Sequence, residues 1–180
     1  VLDRGSLEQA LAIASQPEAA LERFHAGYEF TAHPPVGHIE IVTAFRHAVI
    51  TAHRQAAASG EPPDLSRLDK ALPLPRAGMV LVAVVLLDPH HGFSRPPAYS
   101  VRIFAPDARL DPVTVQHRAL GPRCARIPSE ALGGSVSMAA VEIEARFAAN
   151  PFRAGCACRV LISDPMERMI AVVNIDAVLR

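Results

Sequence analysis

Residues 79–87 read MVLVAVVLL, nine consecutive apolar side chains of which four are valine. Valine is stiff at χ1 and fits a pleated backbone better than a helix. A run this short and this apolar offers no polar face to water, so it reads as a central strand buried on both faces of a sheet. It has less than half of the roughly twenty residues a bilayer-crossing helix needs. No transmembrane segment is expected. The rest of the chain must supply this strand with neighbours and its sheet with cover.

The second half supplies the neighbours. AYSVRIFA (98–105) and VTVQHRAL (113–120) alternate apolar and polar residues. VEIEARF (141–147) sets Val141, Ile143, Ala145 and Phe147 on one face against Glu142, Glu144 and Arg146 on the other. CACRVLIS (156–163) and MIAVVNIDAV (169–178) flank the turn DPMER and predict a closing hairpin. Six strands at short intervals, joined by loops rich in Pro and Gly, predict a β-sandwich or a strongly twisted antiparallel sheet.

The first half supplies cover. In GSLEQALAIASQPEAALERFHAG the spacings Ser6–Gln9 and Ser15–Glu18 match capping boxes, Pro17 suits a first helical turn and Gly27 a helix end, so two short helices are expected. Leu7, Leu11 and Ala14, then Leu21 and Phe24, give each a narrow apolar stripe that needs a larger surface. After a double-proline turn, His38–Val42 reads as a short extended piece. Thr43 then caps a helix that runs to about Ser59 and stops at Gly60. Phe45, Ala48, Val49, Ala52 and Ala56 form its apolar face, with Arg46, His47, His53 and Arg54 elsewhere around the axis. A short helix or turn and a proline-broken linker lead to Met79.

A chain of 180 residues, half hydrophobic and one-fifth charged, suits a single domain with one core. The expected fold is α+β over residues 1–180, with 1–78 mainly helical and 79–180 mainly β. Its N-terminal helices pack on an antiparallel, β-sandwich-like sheet of about six strands. Eighteen basic and eighteen acidic side chains give zero net charge, so the field that gathers nucleic acid is missing and no nucleic-acid partner is expected. Lys70 is the only lysine among the eighteen basic residues, as high-GC coding produces. Together with GHIEIVTAFRHAVI, which resembles segments of bacterial proteins, this points to a protein of bacterial type.

Two stretches concentrate metal-ligating side chains. LLDPHHGFSRPP (86–97) places Asp88, His90, His91 and Ser94 after the central strand, where a scaffold can present ligands. EFTAHPPVGHIE (29–40) carries Glu29, His33, His38 and Glu40. If folding joins them, His90, His91, His33 and His38 could hold zinc or another divalent metal, although the spaced ligands of H-E-x-x-H are absent. Read as structure alone, both are proline-bounded polar turns. His117, in phase with Val113 and Val115, reads as a hydrogen-bonded core or edge histidine.

Cys156 and Cys158 alternate in phase with Val160 and Ile162 and read as small core hydrophobes. A bridge from Cys124 to either would imply an oxidising compartment and tilts the expected location to extracytoplasmic. The sequence has no G-x-S-x-G, P-loop, G-x-G-x-x-G or C-x-x-C-H, so no catalytic residue and no organic cofactor is assigned. With aromatics at 5% and no tryptophan, sugar binding is disfavoured, whereas contact through an aliphatic face or a sheet edge is not. The leading expectation is a non-catalytic binding or accessory protein acting through a protein partner or a homo-oligomer. The alternative is a metal-binding protein or metal-dependent hydrolase built on the histidines.

Overall fold

The computed structural model describes residues 2–72, 77–88, 96–120, 140–152, 157–176 and 179. Within them the fold is mixed α+β, with four N-terminal helices and two antiparallel sheets.

Helix α1 spans Arg4–Ala14 and α2 spans Glu18–Ala26. The α1 cap is Asp3 rather than Ser6. The Asp3 carboxylate accepts from the Ser6 backbone N–H at 2.8 Å and from its hydroxyl at 2.7 Å. A charged acceptor at the positive end of the helix dipole outcompetes a neutral one, so the helix starts early and Ser6 falls inside it. Ser15 closes α1, and Pro17 precedes α2 without a side-chain cap. Helix α3, Ala44–Ser59, has the ends its sequence predicts. Thr43 Oγ1 accepts from the Arg46 N–H at 3.1 Å, and Gly60 ends the helix at φ 69°, the left-handed region glycine enters without strain. Helix α4 is short, Leu65–Ala71, and capped by Asp64.

Among the described residues nine strands form where about six were expected. Strands β1 (Glu29–Thr31), β2 (Val36–Thr43), β3 (Met79–Leu86), β6 (Thr114–Leu120) and β7 (Ala140–Phe147) make a sheet of order β1-β2-β3-β7-β6, with the valine-rich β3 at its centre. Strands β4 (Ser100–Ala105), β5 (Ala108–Leu110), β8 (Cys158–Ser163) and β9 (Met169–Ile175) make the second, of order β5-β4-β8-β9. The additions are β1, β5 and the full length of β2. A register shift between Val36 and His38 breaks the two-residue period of β2, which hides its first half from any alternation test. Strands β1 and β5 are three residues each, too short to show a period.

The inner faces of the two sheets share one apolar cluster. Ile39, Ile41, Leu81, Ala83, Val85, Val141, Ile143 and Ala145 come from the first sheet, and Val101, Ile103, Val160, Ile162 and Ile175 from the second. The helices bury a second cluster among themselves, around Leu7, Ala10, Phe45, Ala48, Val49, Ala52 and Leu68. Phe24 packs against both clusters, and α3 continues from β2 at Thr43, so the helical layer is tied to the sandwich at one end of the first sheet.

Candidate functional site

Burial of the inner faces turns the alternate side chains of each sheet outward, where arginines with few acidic partners collect on the four-stranded sheet and ion-paired glutamates on the five-stranded one. On the four-stranded sheet, pairing aligns Arg109, Phe104, Arg159 and Asn174 in one row across β5, β4, β8 and β9. The next row runs Arg102, Leu161 and Val172. Phe104 and Leu161 are half-buried, while Arg109, Arg159, Asn174 and Val172 are exposed. Arg109 holds Asp111 through Nε at 3.2 Å and Nη2 at 3.0 Å, and Arg102 approaches the same oxygen at 3.5 Å. One carboxylate thus serves two guanidinium groups, and Arg159 has no ion pair among the described residues. This face is an apolar centre with a net positive rim, in a chain whose total charge is zero.

The outer face of the five-stranded sheet carries the acids. Val82 and Val84 of β3 lie between Glu40 and His38 of β2 on one side and Glu144 and Glu142 of β7 on the other. Here the charges are neutralised locally: Arg118 pairs with Glu142 at 2.8 Å and Arg146 with Glu144 at 2.7 Å. Glu29 and Glu40, opposite one another in register, share Arg46 of α3.

Arg46 is the main departure from the expected pattern. Placed off the apolar stripe by sequence, it is only 3% exposed. Its Nη1 reaches Glu40 at 2.8 Å and the Ile41 carbonyl at 3.0 Å, Nη2 reaches Glu29 at 3.4 Å, and Nε donates to His25 Nδ1 at 3.4 Å. The guanidinium lies 5.2 Å from the Tyr28 ring centre. Its planar fork suits several acceptors at once, which lets a buried cation bind α2, β1 and β2 together. Burial holds the His25 imidazole below its ordinary pKa, with the Arg46 charge acting in the same direction, so its Nδ1 remains an acceptor at neutral pH. This cluster joins layers. Its signal in the sequence was a pair of glutamates in extended segments beside a cation in the first turn of the next helix.

Of the four histidines singled out by sequence, the structure describes His33 and His38. His33 is exposed in the turn between β1 and β2, where its carbonyl accepts from Val36 at 3.1 Å. His38 is on β2 between Thr31 and Val84, half-buried on the outer face. The neighbouring carboxylates Glu29 and Glu40 are engaged by Arg46. His90, His91, Ser94, Cys124 and Cys156 lie outside the described residues. Among the described residues no group of three or more His, Cys, Asp or Glu side chains is arranged to hold a metal ion. His117 takes up the hydrogen bond expected of it, with Nε2 2.7 Å from the Tyr99 carbonyl. Cys158 is buried in the core with Sγ 3.8 Å from the Pro151 carbonyl. No helix is long and apolar enough to cross a membrane among the described residues. No protein-family model matches the chain, and no curated protein and no solved structure matches it.

Proposed function

We propose that the chain is a non-catalytic binding module that recognises a protein through the outer face of its four-stranded sheet. The observation that carries this reading is the sorting of charge. Arg102, Arg109 and Arg159 surround Phe104, Leu161 and Val172 with Asp111 as their one acidic neighbour in the two rows. On the opposite sheet, each outward glutamate has its own or a shared arginine. An apolar centre with a net positive rim fits a partner surface with an apolar centre and an acidic rim, and such a rim mainly sets association rate and specificity.

The test is a heteronuclear NMR titration with a ten-residue peptide alternating Glu and Val. Shifts centred on Arg102, Arg159, Leu161 and Val172, weakened by salt and abolished in an Arg102→Glu, Arg159→Glu variant, support the reading. Shifts scattered over both sheets overturn it. Tighter binding of a single-stranded oligonucleotide to the same face would replace a protein partner by a nucleic acid.

A second reading, metal binding or metal-dependent hydrolysis through His33, His38, His90 and His91, is favoured by one contact. The Leu86 N–H donates to the Pro35 carbonyl at 2.7 Å, so the end of β3 lies beside the turn that follows His33. Metal analysis of protein purified without a tag decides it. Stoichiometric zinc that is lost in a His33→Ala, His38→Ala variant supports this reading, and metal-free wild-type protein removes it.

A further inference from the structure

Among the described residues the two sheets have four outer edges: β1, β6, β5 and β9. Two are protected by brevity, since β1 and β5 have three residues each. Strand β6 is protected by its exposed Gln116 and Arg118. Strand β9 has neither protection. Its seven residues, MIAVVNI, contain no charge, proline or glycine, and Met169 and Val172 are 63% and 45% exposed. Among the described residues no strand pairs with its far side. A long, apolar, uncharged edge is a template for another strand.

We infer that this edge pairs with β9 of a second copy of the chain, antiparallel about a twofold axis through Val172. In that register Val172 faces itself, Ala171 faces Val173, Met169 faces Ile175 and Ile170 faces Asn174, so every pair across the axis is apolar except the last, whose polar member carries no charge. The residues that flank the strand choose the occupant. Arg168 immediately precedes β9 and the exposed Asp176 immediately follows it. The same register brings Arg168 beside Asp176 of the second copy, twice. Arg168 already uses Nε and Nη2 on Asp164, each at 2.7 Å, which leaves the Nη1 donors for a second carboxylate. A twofold contact requires one patch to complement itself, and an uncharged strand with a cation at one end and an anion at the other meets that requirement. The product is a continuous eight-stranded sheet that sets two arginine-rimmed faces side by side. The inference stands independently of what those faces bind.

Sedimentation equilibrium on the whole chain tests it. A species of twice the 19.3 kDa chain mass is expected at high micromolar concentration. Val172→Lys should leave a folded monomer, with folding checked by circular dichroism. Asp176→Arg and Arg168→Asp place like charges at both ends and should each weaken self-association by about tenfold or more. Mixed one to one, these two variants should dimerise with each other at close to wild-type strength, which a merely destabilised fold could not do. A wild-type monomer at every concentration overturns the inference. So does a dimer that ignores Val172→Lys, or a mixture of the charge variants that fails to associate while both remain folded.

Discussion

Replacing Arg46 by methionine keeps most of the aliphatic stem and removes the charge. Breaking a fully buried ion pair from one side costs about 3–5 kcal/mol. Here the carboxylates keep water contact, Glu40 at 32% and Glu29 at 46% exposure. Solvent screening therefore reduces the ionic share to about 1–2 kcal/mol. Loss of the donor to the Ile41 carbonyl adds about 1 kcal/mol. Loss of the contact with the Tyr28 ring adds about 0.5–1 kcal/mol. The sum is about 3 kcal/mol, which for a chain of this length lowers Tm by about 6–12 °C. Differential scanning calorimetry measures the shift, and hydrogen exchange should show α2 and β1 losing protection before β3 and β7. Arg118→Met, which removes an exposed pair with Glu142, is the control and should cost less than about 1 kcal/mol. An Arg46→Met protein melting within 2 °C of wild type would refute the role of this cation as the joint between helices and sandwich.

Three further outcomes are expected. Burial depresses the pKa of both His25 and His47, so the folded state binds fewer protons than the unfolded chain. Their contribution is present above the ordinary imidazole value of about 6.5 and is lost as pH falls through it toward the depressed values. Chemical denaturation at pH 7 and pH 5 should show lower stability at pH 5, by a margin that shrinks in His25→Gln; an equal margin in that variant would contradict the assignment. Thr43→Ala removes the acceptor for the Arg46 N–H and should cost about 1 kcal/mol in urea unfolding. At Gly60, an added Cβ meets nothing within 4 Å, so Gly60→Ala should cost about 1 kcal/mol from backbone strain alone, with an unchanged m-value.

How much was legible follows the reach of each signal along the chain. Strands β3 and β7 were readable because nine apolar residues in a row and a clean alternation are local facts. So were Thr43 and Gly60, whose cap partners lie three and four residues away. The start of α1 was misplaced because Asp3 and Ser6 are both competent caps, and only the helix register decides between them. The first half of β2 was hidden by its register shift. The burial of Arg46 was only partly readable: Glu40 and Ile41 are six and five residues away, but Glu29 and Tyr28 are seventeen and eighteen residues away and meet it only after β1 and β2 pair. The arginine rows depend on the order β5-β4-β8-β9, which puts Arg109 and Arg159 two strands apart although fifty residues separate them in the chain. Charge summed over the whole sequence is zero and conceals that sorting completely.

Photo-crosslinking in the source cell tests the proposed binding face most directly, with benzoylphenylalanine incorporated at Leu161 on the four-stranded sheet and, separately, at Glu144 on the opposite outer face. The predicted result is a discrete adduct with an acidic protein from position 161, absent from position 144 and lost when Arg102→Glu and Arg159→Glu are added. Adducts of equal yield from both positions, or an adduct at 161 that survives removal of the arginines, would contradict recognition through the basic face.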